Sequence, residues 1–229
     1  MEWSTTGGIF KICEWIYRLA YLNIIASLFT LLGLGIFGFF PSIIAMYTII
    51  HRWQSGEDIT SVFREFCRLY KQHFIKSNGL CVLFILVGIF LYIDFALVQN
   101  LNGILFYLLL GSSTTVLILS MGVFLHMLFL LSQTEHNLVV QIKGAIHVTA
   151  RYPFQTGWMF LSVTSFLFIS AVIPAVGILF AGSVSTFIVV SFSRHIVRKT
   201  EKNYQQHLAT KTYPVATTLT NKGGTTYAE

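Results

Sequence analysis

Apolar residues gather into three long blocks, 19–51, 77–142 and 152–193, none of which contains Lys or Arg. Within them the only acids are Asp94 and Glu135. A bilayer crossing needs about 20 apolar residues. Gly79–Gln99 therefore predicts one span and Ile104–Leu131 another, joined by the uncharged turn Asn100–Gly103. Gly157–Ile173 and Ala175–Ser193 predict a second hairpin, broken at Pro174 because proline lacks the N–H that would continue a helix. The first block, 19–51, is too long for one span and short for two. A split near Gly33–Pro41 leaves two helices of about 16 residues, roughly 24 Å each.

Between the blocks the period changes. In Ile59–Phe74, Ile59, Val62, Phe63, Phe66, Tyr70 and Phe74 recur at helical spacing, with Arg64, Arg68, Lys71 and Gln72 opposite. Ser55 and Asp58 are spaced like a capping box. Leu138, Val139, Ile142, Ile146 and Ala150 repeat the pattern, and Ile9, Phe10, Cys13, Ile16 and Ala20 sketch it more weakly. Two placements stay open for these amphipathic helices. They lie along the interface with basic faces toward lipid head groups, or they dock on the transmembrane bundle. Trp3, Trp15, Trp53 and Trp158 flank spans where an aromatic belt would form.

The expected fold is thus an all-α, polytopic transmembrane helix bundle with amphipathic connecting helices on the cytoplasmic side. Hairpins are expected at about 19–51, 79–131 and 157–193, and amphipathic helices at about 8–18, 57–76 and 135–151. One integral membrane domain covers 1–200, and 201–229 is a polar tail expected to be disordered. An amphipathic helix followed by a hairpin recurs near 8–53, 57–133 and 134–195, which suggests a threefold internal organisation. Six crossings are favoured, because they place all fifteen Lys and Arg on one side. Five crossings, or a re-entrant half-helix over Pro41–Ile50, are the alternatives. Positive-inside reasoning then puts both termini in the cytoplasm of a multi-pass cell-membrane protein.

Composition agrees. The chain is 55% hydrophobic and 10% charged, with mean hydropathy +0.70, whereas soluble domains carry about 25% charge. The net charge of +6 is dispersed beside the apolar blocks, which fits anionic lipid better than nucleic acid. The first apolar block is too long for a cleavable leader. Cys13, Cys67 and Cys81 show no metal-ligand spacing and read as reduced packing thiols.

Candidate chemistry is sparse. Gly33-Leu-Gly-Ile-Phe-Gly38 spells GxGxxG, but it lies inside an apolar block and not between a strand and a helix. A tight hairpin or close helix contact is the better reading. Asn23 needs a hydrogen-bond partner if buried in lipid. Asp94 marks either a relay or cation site or a hydrated boundary position. His126 reads as interfacial, and Ser112–Thr115 as helix packing or the lining of a polar cavity. No P-loop, HExxH or nucleophile elbow is present. No enzyme activity, cofactor or metal is expected.

The run Gly38-Phe-Phe-Pro-Ser-Ile-Ile-Ala-Met-Tyr47, followed by His51-Arg52-Trp53 and Gly56-Glu57-Asp58, resembles the hallmark of the YesL-like family of bacterial membrane proteins. Asn23 resembles a family Asn in the first span, and 63–77 resembles its phenylalanine-rich basic helix. The chain departs by placing Phe39–Phe40 before Pro41 and Ser-Ile-Ile where small residues are common. The resemblance covers residues 2 to about 200 and implies a multi-pass plasma membrane protein with no catalytic residues to carry over. It also implies association with carbohydrate ABC-transporter and two-component genes. The expected role is a non-catalytic accessory or regulatory partner of a carbohydrate ABC-transporter permease or sensor kinase in polysaccharide utilisation. A small autonomous transporter or channel is the alternative, and an enzyme acting on lipid or glycan comes third. Candidate functional or packing residues are Asn23, Gly38, Pro41, Arg52, Trp53, Gly56, Glu57 and Asp94.

Overall fold

The computed structural model describes residues 5–100, 103–133 and 138–212, with side chains described only within 10–198. The described residues form seven helices: α1 (Thr5–Leu32), α2 (Ile36–Gln54), α3 (Val62–Val98), α4 (Ile104–Gln133), α5 (Leu138–Arg151), α6 (Pro153–Val172) and α7 (Pro174–Thr212). The chain divides into two units, residues 1–193 and 194–229. Trp3, residues 101–102 of the expected turn, 135–137 of the expected amphipathic helix, and the tail from 213 lie outside the described residues.

Five helices are long and apolar enough to cross a membrane: Phe10–Leu32, Val62–Val98, Ile104–Gln133, Pro153–Val172 and Pro174–Arg198. The polytopic helical reading therefore holds. The sixth crossing would have to be α2. This helix has 19 residues, about 28 Å, contains Pro41, and carries His51 and Arg52 in its last turn. It does not join the five by apolarity, yet it is one continuous helix, so the re-entrant half-helix over 41–50 is not formed. Most of α2 from Pro41 to Ile50 is buried. It sits against α1, α3 and α4, and it is the core of the bundle.

The chain reverses between α1 and α2 within three residues. The Gly35 N–H donates to the Thr30 carbonyl (2.9 Å) and the Leu34 N–H to the Leu31 carbonyl (3.1 Å), the two bonds of a Schellman stop. Leu34 takes φ 58° and Gly35 φ 77°, a region that only Gly enters without cost. A Cβ on Gly33 would lie 2.3 Å from Gly38 Cα, and one on Gly38 would lie 2.6 Å from the Thr30 oxygen. The glycine run is therefore a backbone-to-backbone hairpin. The close approach falls at Gly33 and Gly38, not at Pro41.

Two expected boundaries differ. Residues 57–61 of the expected amphipathic helix are not helical, and the rest of it forms with the span 79–99 a single helix, α3, because one buried stripe of Phe66, Leu69, His73, Ser77 and Leu80 continues through the position of the expected break. Likewise α1 joins the expected helix 8–18 to the first span without interruption. Ser55 does not start α3; it caps the end of α2, and Ser61 precedes α3 in extended conformation (φ −138°). The third amphipathic helix, α5, is separate, since Tyr152 leaves helical geometry and Pro153 opens α6. The three segments thus differ in construction. Pro174 breaks the last hairpin as expected, with Ile173 extended before it. The helix that begins there continues to Thr212, into the expected tail, as the Arg, Lys, Glu and Gln content after 193 favours helix.

α3 and α4 form an antiparallel pair. Ser113 hydrogen-bonds Asp94 near one end, and Phe84 meets Phe124 edge-on at 4.4 Å further along. On α5 the buried residues are Gln141, Ala145 and Thr149. Ile146, from the aliphatic series, is 51% exposed, while Ala145 is 0% exposed.

Candidate functional site

The hallmark residues converge at the basic end of α2. Gly56 has φ 84°. Its N–H donates to the Trp53 carbonyl (3.1 Å), and the Glu57 N–H donates to the Arg52 carbonyl (3.0 Å). Those bonds make a second Schellman stop, in which glycine is favoured at the left-handed position. The turn returns Glu57 toward Arg52, with Arg52 Nε 3.8 Å from its carboxylate. Arg52 also donates to Glu65 on α3 at 2.7 Å, and Arg68 binds the same carboxylate at 2.5 Å. A crossing needs only about 20 of the 37 residues of α3, and the charge-free part begins at Ser77, so Glu65 lies outside the span. The Arg68 hydrogen bond, reinforced by the charges of Arg68 and Arg52, outweighs partial burial and holds the Glu65 carboxyl below its ordinary range.

Trp53 is buried, not part of an exposed belt. It meets Trp15 edge-on at 6.3 Å, and the Arg18 guanidinium stands 5.4 Å over its ring, a cation–π contact. Arg18 pairs with Glu14 at 2.5 Å and approaches Asp58 at 3.8 Å. Trp158, by contrast, is exposed. The aromatic face of the basic helix docks on α1: Phe29 lies 5.1 Å from both Phe66 and Tyr70 and 5.9 Å from Phe63.

Asn23 holds a different junction. Its Nδ2 donates to the Ile178 carbonyl (2.8 Å), and its Oδ1 accepts from the Ser183 N–H (3.1 Å). The amide is thus inserted beside the opening turns of α7. A Cβ on Gly182 would lie 2.7 Å from Asn23 Oδ1, so Gly182 makes the space the amide occupies. At the other end of α2, Gln54 donates to Ser191 (2.9 Å) and Trp15 meets Phe187 at 5.2 Å.

Beside Asn23 lies a cavity of about 650 Å³ lined by α1, α2, α4, α6 and α7. Leu, Ile, Phe, Val, Met and Ala form most of its wall, and among the described residues no Asp, Glu, Lys, Arg or His lines it. Ser42 of the hallmark run faces it. A second, polar recess of about 450 Å³ lies at Glu14, Arg18, Trp53 and Asp58.

The structure therefore joins Arg52, Trp53, Gly56 and Glu57 in one cluster, and gives Gly38 and Pro41 packing positions in α2. Asn23 belongs to the cavity, and Asp94 lines neither recess. Ser113 on α4 engages Asp94, while Ser112, Thr114 and Thr115 bond carbonyls of their own helix. His126 is buried, with Nδ1 3.0 Å from the Gly122 carbonyl. Glu65, Gly182, Ser42 and Ser185 were not singled out by the sequence. Glu65 alone carried a signal, as the one acid in the basic helix. No group of three or more His, Cys, Asp or Glu side chains converges among the described residues.

Residues 19–95 match the model of a family described as a protein of unknown function, DUF624. The chain is 29% identical over 205 residues to the uncharacterized protein YteU of Bacillus subtilis, covering 87% of this chain and 90% of that one. It is 33% identical over 99 residues to YesL of the same organism, covering 43% and 47%. To YesV it is 24% identical over 206 residues, covering 90% and 99%. No solved structure matches.

Proposed function

We propose an accessory role for this chain, which belongs to the YesL-like family of membrane proteins: it binds and regulates a membrane partner without itself catalysing a reaction. The partner is a carbohydrate ABC-transporter permease or a two-component sensor kinase in polysaccharide utilisation. The carrying observation is that the hallmark residues are engaged inside this molecule. Gly38, Trp53 and Gly56 close turns or fill the core, and Arg52 is tied to Glu65 and Glu57. A polar cluster that holds three helices together suits a scaffold better than a reaction centre. The basic connections and both termini face the cytoplasm in this reading, where a kinase or nucleotide-binding subunit would be met. Affinity purification of the tagged protein in mild detergent from its native membrane is the test. Recovery of a permease or kinase subunit in stoichiometric amount is expected, and its absence would falsify the proposal.

A transporter is the second reading, favoured by the cavity beside Asn23. Its wall is too apolar for a sugar, and Asp94 is engaged elsewhere by Ser113. Solute flux unchanged in the Asn23→Ala, Asp94→Asn double variant is the expected result; loss of flux would favour transport over the accessory role.

A further inference from the structure

The cavity beside Asn23 holds two hydroxyls whose bonding is incomplete. In an apolar setting a Ser in a helix ordinarily donates to the carbonyl one turn before it. Ser27 does so to Asn23 (2.9 Å) and Thr30 to Ala26 (2.8 Å). Asn23 itself is committed at both ends to α7. Ser42 on α2 and Ser185 on α7 differ: both line the cavity, and the buried Oγ of each has no partner. Ser42 is 1% exposed. Buried polar atoms are otherwise satisfied in folded proteins, and those left over call for a missing partner.

From these hydroxyls and their surroundings we infer that the cavity binds an uncharged lipid bearing carbonyl oxygens, with Ser42 and Ser185 donating to them. A volume of about 650 Å³ falls within the roughly 300–1,000 Å³ of small-molecule sites. The wall of Phe, Leu, Ile and Val takes hydrocarbon. With no cation in the wall, a phosphate or carboxylate would enter unpaired, which burial forbids. A sugar needs many donors and acceptors, and here, apart from Ser27 and Thr30, the wall offers only the hydroxyls of Ser42, Tyr47, Ser185 and Thr186. A pure hydrocarbon would leave both hydroxyls as they are. A carbonyl accepts from a hydroxyl and carries no charge, so it matches what the site lacks. Two membrane components share that chemistry, the ester region of a neutral glycerolipid and an isoprenoid quinone. This inference is independent of the accessory role.

The experiment uses the full chain purified in mild detergent and examined by native mass spectrometry with added 1,2-dioleoylglycerol, menaquinone or squalene. One equivalent of dioleoylglycerol or of menaquinone is expected to bind, and whichever binds identifies the source; squalene is expected to bind weakly. The Ser42→Ala, Ser185→Ala double variant is expected to lose affinity by about 10-fold or more, each lost hydrogen bond being worth roughly 5-fold. Its helical circular dichroism and melting should be those of the parent, since the change removes one oxygen at each site. Ala181→Phe, which fills the cavity, should abolish binding. Equal binding of squalene, affinity unchanged in the double variant, or no binding of either carbonyl lipid to the folded parent would each overturn the inference.

Discussion

The start of α3 and the whole of α5 both read as basic amphipathic helices, yet they bury opposite kinds of surface. α3 turns an aromatic and aliphatic stripe inward, with Phe66 0% exposed against Phe29, and fixes it with the ion pairs of Glu65. α5 turns inward the small and polar stripe Gln141, Ala145 and Thr149. There the Thr149 methyl would lie 3.1 Å from a Cβ placed on Gly122 of α4, so the helices meet through small residues. Its aliphatic positions Val139 and Ile146 face outward. A difference in the medium that each helix meets would produce this pattern. Outside the lipid, apolar area is driven into protein contact. Within or against lipid that drive is absent, helices join through small and hydrogen-bonding residues, and the aliphatic face is left to the acyl chains. Amphipathicity identifies a helix with two faces, and the surrounding medium decides which one is buried.

The comparison can be broken by substitution, beginning with α3. Phe66→Ala should cost about 3–5 kcal/mol, as for a fully buried aromatic, whereas Ile75→Ala, on the same helix but 85% exposed, should change stability by about 0.5 kcal/mol or less. Unfolding in mixed detergent–SDS micelles would measure both; equal costs would mean that Phe66 is not anchored on α1. On α5 the ranking by hydrophobicity should invert. Ala145→Leu, adding bulk at the α4 contact, should cost about 2 kcal/mol by overpacking, and Ile146→Ala only a few tenths. A larger loss at Ile146 than at Ala145 would reverse the assignment of faces.

An effect smaller than those at Phe66 and Ala145 is expected for the ion pairs of Glu65, which have no counterpart on α5 among the described residues. Glu65→Gln should remove about 1 kcal/mol at neutral pH, in the range for a partly exposed, charge-assisted hydrogen bond. Because the folded-state pKa of Glu65 is depressed, its contribution is complete above the unfolded carboxyl value of about 4.3 and disappears as pH falls through the lower folded value. The parent should therefore lose stability relative to the Gln variant across that acid window and converge on it below. A constant gap throughout would assign the effect to packing and not to charge.

Much of this molecule was legible from residue order. The charge-free blocks located the spans, and Pro174 marked the last turn. The amide of Asn23, if buried, was expected to require a hydrogen-bond partner, and the glycine run was expected to mark a hairpin or close contact. Other features depend on distant neighbours. Continuity of α3 through 77–78 rests on the buried stripe Phe66, Leu69, His73, Ser77 and Leu80, which crosses the expected break. Hydrophobicity measures transfer from water, so it is silent on whether an aliphatic face meets protein or lipid, and the inward face of α5 was out of its reach. Ser42 looked like a departure from a small-residue run; only the cavity and its missing hydrogen bond give it chemical interest. Two of the four tryptophans expected at a belt, Trp15 and Trp53, instead pack on each other, with Arg18 over the Trp53 ring.

The unbroken course of α3 has a mechanical consequence. At 37 residues it is about 55 Å long, against a hydrocarbon thickness of about 30 Å, so nearly half of a stiff rod stands outside the lipid. A span tilts when bilayer thickness changes, and with no joint at the surface the tilt cannot be absorbed there. The far end swings with it, carrying Glu65 and Phe66 against Arg52 and Phe29. A change in lipid thickness is therefore expected to load the ion pairs at the end of α2.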